Sequence, residues 1–247
     1  MLNADELERY DRQIMIEGIG EEGQTKLKKA KVFIAGAGGL GSPVSIYLAA
    51  AGVGKMRLVD HDRVELSNLN RQVLHGDEDI GRRKADSALE KLKKINQSVE
   101  IETIPETITE DSVSRLVNGC DLIVDAMDNL PTRYILNKAA IDKKIPFFHG
   151  AVYGFEGRTI TIIPGKSACL WCVYQGRTTK GKFPVIGVAP AVIGCIQATE
   201  VIKYLVGIGE LLTNRLLIYD GLNLEFTKFT IKPDPNCQHC GHLAPKE

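Results

Sequence analysis

Lys31-Val32-Phe33-Ile34-Ala35-Gly36-Ala37-Gly38-Gly39-Leu40-Gly41 is the stretch on which the fold turns. Its first five residues are mostly apolar and read as a buried strand. The glycine-rich run then opens a small-residue apolar helix, Val44-Ser45-Ile46-Tyr47-Leu48-Ala49-Ala50-Ala51. In that context Gly36, Gly38, Gly39 and Gly41 let the backbone approach a phosphate, which the free N–H groups of the helix start attract. A second strand, Met56 to Asp60, ends in a carboxylate about 20 residues further on, where ribose hydroxyls are held in dinucleotide-binding folds. Strands at Val99–Ile104, Leu122–Val124 and Pro146–His149 continue the alternation, with helices at Lys84–Ile95 and, after Pro131, at Tyr134–Ala140. The pattern predicts an α/β, doubly wound, Rossmann-like and mostly parallel sheet. Ahead of it, residues 4–29 read as helical, broken at Gly18 and Gly20. Beyond Gly150, strands at Gly157–Ile163, Leu216–Tyr219 and Glu225–Ile231 surround a long apolar helix, Ala189–Val206, and extend the same sheet in antiparallel fashion. With no repeat or linker, one domain is expected over 1–247: a helical segment 1–30, a nucleotide-binding half 31–150 and a second half 151–247.

Composition narrows the function classes. Of 247 residues, 44% are hydrophobic and 25% charged, so a soluble globular chain is expected and a disordered one is not. Thirty-one basic and 31 acidic side chains cancel, which argues against nucleic acid or an anionic membrane as the main partner. The acidic start, Met1 to Glu8, lacks the features of a signal peptide, and no apolar run reads as long enough to span a bilayer. A cytoplasmic protein is the expectation.

The glycine turn alone fits a nicotinamide enzyme, an ATP enzyme or a turn with no ligand. The next stretch, Asp60-His61-Asp62-Arg63-Val64-Glu65-Leu66-Ser67-Asn68-Leu69-Asn70-Arg71-Gln72, is more polar than a dehydrogenase requires. Arg71 and Lys84 suit a triphosphate, one as a fork and the other as a point charge. Asp128, followed by Asn129 just past a buried strand, suits Mg²⁺ bridging phosphates. Together they favour ATP, because a dinucleotide's pyrophosphate needs no metal.

Cysteine spacing adds a second signal. Cys169/Cys172 and Cys237/Cys240 are two Cys-x-x-Cys pairs with 64 residues between them. Four thiolates form the ligand set of a closed structural zinc site. His239 and His242 read as bystanders, Trp171 as packing against the site, and Cys120 and Cys195 as small core residues.

The ordered set resembles the ubiquitin-activating (E1-like) enzymes in their bacterial and archaeal form, the MoeB/ThiF/HesA group. The similarity runs through Arg9-Tyr10-Asp11-Arg12-Gln13, Gly36 to Gly41, Asp60, Ser67 to Gln72, Gly81 to Lys84, Asp125 to Asn129, both cysteine pairs and Gln197 to Lys203. The resemblance implies that Gly39, Asp60, Asn70, Arg71, Gln72, Lys84 and Asp128 bind MgATP, with Asn68 and Asn129 in the same segments. It implies that Arg12 reaches the phosphates of the neighbouring subunit of a homodimer. It also implies adenylation of the C-terminal glycine of a ubiquitin-like sulfur carrier ending in Gly-Gly, with release of pyrophosphate. Arg12, Arg71, Lys84 and Asp128 would then carry the catalysis, and 151–247 would be the carrier-binding and zinc half.

Some members carry a reactive cysteine in the loop after the first zinc pair. Here Lys180 stands at that position, among Arg177, Lys180 and Lys182, which could cover the carrier's tail as readily as form a solvated loop. The departure favours an enzyme that stops at the acyl-adenylate. With no rhodanese-like extension read, sulfur is expected from a separate donor protein. The carrier could serve molybdopterin, thiamine, sulfur amino acids or tRNA thiolation. Adenylation of a peptide, a small-molecule carboxylate or a tRNA base, a nicotinamide oxidoreductase and a non-catalytic scaffold are the competing readings.

Overall fold

The computed structural model describes residues 1–177, 181 and 183–243. Three short helices, α1 (Ala4–Arg9), α2 (Asp11–Ile14) and α3 (Gly20–Lys29), precede β1 (Lys31–Ala35). There follow α4 (Gly41–Ala50), β2 (Lys55–Val59), α5 (Lys84–Ile95), β3 (Glu100–Ile104), α6 (Glu110–Leu116), β4 (Leu122–Asp125), α7 (Leu130–Lys143) and β5 (Phe147–Tyr153). The second half contributes β6 (Glu156–Ile162), α8 (Leu170–Tyr174), α9 (Val188–Val206), β7 (Arg215–Asp220) and β8 (Glu225–Thr230).

Among the described residues eight strands form one sheet in the order β3-β2-β1-β4-β5-β6-β7-β8. From β3 through β5 neighbouring strands are parallel, and from β5 onward they are antiparallel. Chain order reverses between β1 and β4, the switch point at which α/β sheets open a crevice beyond the strand ends. Side chains alternate across β1. Val32 and Ile34 enter the apolar layer with Leu48, Met56 and Leu92, while Phe33 and Ala35 enter the opposite layer with Leu136, Phe147 and Leu170. Both faces are buried, which is why β1 and β4 read as unbroken apolar runs.

Several elements differ from expectation. α6 went unread because only Val113 and Leu116 are buried among polar residues; Thr109 caps it by accepting from Ser112 N. α7 begins at Leu130, before Tyr134, because Asn129 Oδ1 accepts from Thr132 N at 2.9 Å and Pro131 sits in the first turn. β5 runs on to Tyr153 because β6 pairs along its whole length. α8 after Cys169 was not anticipated. α9 is, by length and composition, long and apolar enough to cross a membrane, contrary to the run-length reading. In the fold it packs on α4, β5 and β6, burying Ala189, Ile193, Ala198 and Val201.

Candidate active site

The glycine turn stands at the switch point and tolerates no side chain at two positions. A methyl group on Gly41 would lie 1.9 Å from Gly36 O. Gly36 has φ +100°, and a methyl there would meet Ala126 O at 2.8 Å. The segment after β4 therefore abuts the turn, and Asp128 follows it two residues on, exposed to solvent.

The Ala37 peptide is held from both sides. Its N–H donates to Asp60 Oδ2 at 2.8 Å, and its carbonyl accepts from His75 Nε2 at 3.0 Å. His75 is buried, meets Ser87 Oγ through Nδ1 at 2.8 Å, and is pushed to a lower pKa by that burial. Sequence reading missed it; a histidine three residues past Gln72 offers no periodic signal.

Around this turn the fold gathers the other expected residues. Lys84, buried at the start of α5, pairs with Asp62 at 2.9 Å. Arg71 lies over Gly39, and its Nη1 donates to Ser67 O at 2.8 Å and Asn70 Oδ1 at 3.1 Å. A methyl on Gly187 would strike Asn70 O at 2.2 Å, so the start of α9 buttresses this loop. Gln72 sits over Gly38 with Nε2 nearest to it, and its buried Oε1 has no hydrogen-bond partner among the described residues. Asn68 and Asn129 have local work. Asn68 Oδ1 accepts from Glu65 N at 3.2 Å, and Asn129 caps α7.

Arg12 is not brought to this site within one protomer. It is exposed on α2 and makes no hydrogen bond or ion pair among the described residues. Its neighbour Gln13 donates to Ala51 O at 3.2 Å, at the end of α4 away from the glycine turn. A ten-residue helix separates those ends by about 15 Å.

Beside Asp128 opens a cavity of about 470 Å³ lined by Arg133, Tyr153, Glu156, Arg158, Tyr174 and Phe183 among others. A buried chain of polar groups ends on its wall. Asp125 Oδ2 meets His149 Nδ1 at 2.7 Å, and His149 Nε2 meets Tyr174 Oη at 3.0 Å. Arg133 Nε stands 3.6 Å from the same carboxylate oxygen, and Met127 N donates to the other at 3.0 Å. His149 is fully buried, and burial holds its imidazole at a lower pKa. None of these roles was read from sequence. The available signal was a histidine closing the apolar run Pro146-Phe147-Phe148, but only the register pairing Asp125 with His149 gives it meaning.

The four paired cysteines converge. Sγ–Sγ separations are 3.9 Å for Cys169–Cys172 and 3.6 Å for both Cys169–Cys237 and Cys172–Cys240. All four sulfurs lie within 4.8 Å of one another. A tetrahedron with metal–sulfur bonds near 2.3 Å has edges of about 3.8 Å, so the donor set fits a zinc ion and is far too open for a disulfide. Burial pushes the Cys169 thiol up to about 12. Cys237 is lowered: burial opposes the shift, but N–H groups of Cys240 and His239 favour its thiolate. His239 stands outside the set, stacked on Trp171 at 4.6 Å and bonded to Asn137 at 3.0 Å. Trp171 and Tyr134, 4.9 Å apart, thus bind the tail to α7. Cys120 and Cys195 are only partly buried, short of the core positions expected. Lys180 and Lys182 lie outside the described residues.

Fold and site together define a doubly wound α/β protein with a glycine turn at its switch point and a four-cysteine cluster joining its tail to α8. The chain belongs to the ThiF family, whose model matches residues 10–239. It is 43% identical over 246 residues to the SAMP-activating enzyme E1 of Haloferax volcanii, covering 97% of this chain and 91% of that one. To the sulfur carrier protein adenylyltransferase of Thermus thermophilus it is 42% identical over 248 residues, covering 96% and 92%. Mouse adenylyltransferase and sulfurtransferase MOCS3 is 40% identical over 97% of this chain, which spans about half (54%) of that longer protein. Among solved structures, Escherichia coli MccB with ATP superposes with a TM-score of 0.82 at 26% identity, covering 94% of this chain and 74% of MccB.

Proposed function

We propose that the protein is an ATP-dependent adenylyltransferase that activates the C-terminal glycine carboxylate of a ubiquitin-like sulfur carrier as an acyl-adenylate and releases pyrophosphate. One observation carries the reading: the glycine turn, Asp60, Arg71, Lys84 and Asp128 stand together beyond the C-terminal ends of the adjacent parallel strands β2, β1 and β4. The similarity to a SAMP-activating enzyme E1 and to a sulfur carrier protein adenylyltransferase, over nearly their whole length, supports the substrate class.

The reaction brings a carboxylate against an α-phosphate, so two anions must meet. The attacking group is already ionised near neutral pH and needs no general base. Catalysis rests on orientation and on positive charge placed where negative charge grows. The helix N–H groups of α4 hold phosphate oxygens, Asp60 and the orphan Gln72 Oε1 meet nucleotide hydroxyls, and Arg71 and Lys84 exchange their present partners for phosphates. Asp128, an exposed hard oxygen donor, would hold Mg²⁺, which supplies charge neutralisation between phosphates. Cys169, Cys172, Cys237 and Cys240 would hold Zn²⁺ in a purely structural role. Arg12 would act on the partner subunit's nucleotide in a homodimer, consistent with its distance from its own glycine turn. Sulfur would come from a separate donor protein, in the cytoplasm.

A second reading is adenylation of a peptide by the same site; the likeness to MccB structures that contain MccA, at 26% identity, is more distant than that to the sulfur-carrier enzymes. Pyrophosphate exchange decides between them. Exchange should depend on a carrier ending in Gly-Gly and disappear in Asp128→Ala and Lys84→Ala. Carrier-independent exchange, or full exchange in Asp128→Ala, would overturn the reading.

A further inference from the structure

The cavity beside Asp128 has a wall whose hydrogen-bonding polarity is set from behind. Asp125 is a side chain with no exposed surface, engaged by Met127 N–H, Arg133 and His149. Its carboxylate can only accept from His149, so Nδ1 carries the proton. Burial disfavours a second proton on the ring, leaving Nε2 as an acceptor. The one hydrogen that fits between Nε2 and Tyr174 Oη is therefore the tyrosine's own. With its proton committed inward, Tyr174 turns only oxygen lone pairs toward the cavity.

We propose that Tyr174 Oη accepts a hydrogen bond from a main-chain N–H of the acyl substrate's C-terminal tail, with Asp125 and His149 as positioning residues that fix this polarity. This rests on the adenylyltransferase reading and adds to it how the tail is recognised. An extended Gly-Gly tail has no side chains to read, so its N–H and C=O groups are the only handles available. On the same wall Arg133 is a donor suited to tail carbonyls, while Arg158 is ion-paired with Glu156 (Nε–Oε1 2.7 Å) and lies against Tyr174, which supplies the complementary acceptor. The surroundings hold the relay in place. Gln197 Nε2 donates to both Asp125 O at 2.8 Å and Phe148 O at 2.9 Å, locking β4 to β5 where Asp125 and His149 face each other.

Two substitutions separate polarity from shape. Tyr174→Phe removes the acceptor. Asp125→Asn is isosteric and keeps a carbonyl for Met127 N–H, but its amide donates to His149 Nδ1. The ring proton moves to Nε2, and the tyrosine proton turns into the cavity. The assay is pyrophosphate exchange with a Gly-Gly-terminated ubiquitin-like carrier, intact or with single N-methyl residues introduced along its tail by semisynthesis. Tyr174→Phe should raise the carrier KM about three- to tenfold, the weight of one neutral hydrogen bond, with the ATP KM unchanged. One N-methyl position should cost wild type the same factor and cost Tyr174→Phe nothing more. Asp125→Asn should raise the carrier KM further than Tyr174→Phe, and the double variant should fall back to the Tyr174→Phe value. An unchanged carrier KM in Tyr174→Phe, or an Asp125→Asn penalty that survives in the double variant, overturns the proposal. Should Asp125→Asn fail to fold, the N-methyl cycle with Tyr174→Phe decides alone. Wild-type exchange with no Gly-Gly carrier at all is the distinct outcome in which the functional reading fails and the proposal falls with it.

Discussion

Removing the cysteine clasp tests the second half of the molecule through its stability. Cys169 immediately precedes α8 and Cys172 lies within it, whereas Cys237 and Cys240 lie on the tail, and 64 residues separate the inner members. A metal joining them is bound only once folding brings the pairs together, so its binding adds to folding stability, and the loop it closes sets the scale of that contribution. By the chain-entropy relation, a loop of about 65 residues corresponds to about 4 kcal/mol at 25 °C. At 247 residues each kcal/mol moves the melting temperature by about 2 °C, so the clasp should account for a shift of about 8 °C. Cys237→Ser combined with Cys240→Ser should therefore lose one equivalent of zinc and melt about 8 °C lower. Carrier-dependent exchange at 25 °C should persist, because no cysteine in the clasp touches the glycine turn. Treating wild type with a zinc chelator should produce a similar drop, and the chelator should do nothing to the double variant. Calorimetry with metal analysis reads all of these. Zinc retained in the double variant, or lost from it with an unmoved melting temperature, would refute the argument.

Three further outcomes follow from the geometry. Gly41→Ala forces a methyl group to within 1.9 Å of Gly36 O, so the turn must open. ATP binding measured by calorimetry should vanish, with a stability loss of about 1–3 kcal/mol; tight binding would show that the turn is not the phosphate cradle. His75 and His149 are both held below their ordinary pKa by burial, so as pH falls through about 6.5 the unfolded chain takes up protons that the folded one refuses. Stability in urea should therefore drop between pH 7.5 and 5.5, by up to about 1.4 kcal/mol per pH unit for each histidine, and a flat or rising profile would contradict the buried neutral rings. Arg12→Ala and Asp128→Ala should each be inactive alone, yet mixed and re-assembled dimers should recover about a quarter of wild-type exchange, because half are hybrids with one complete site. Continued inactivity in the mixture would sink the assignment of Arg12 to the partner's nucleotide.

What could be read from the chain alone was local. A strand, a glycine turn and a helix signal themselves within a dozen residues, because periodicity and the need for backbone clearance act between near neighbours. The two Cys-x-x-Cys pairs are similarly local, and their number matches a tetrahedral ligand set before any geometry is known. Asp60, Arg71, Lys84 and Asp128 were legible because each sits just past or just before such a signal. α6 and α8 were not, being short and stabilised by a cap or by packing rather than by an apolar stripe. The site's inner layer was beyond the sequence for a different reason. His75 acquires a role only through Ala37, 38 positions away, and His149 only through Asp125 and Tyr174. Strand register and sheet order decide those contacts, and they are set by the packing of two apolar layers across eight strands rather than by any segment. Equally, only the folded chain places Arg12 at the far end of α4 from the glycine turn, a separation that no motif spacing encodes.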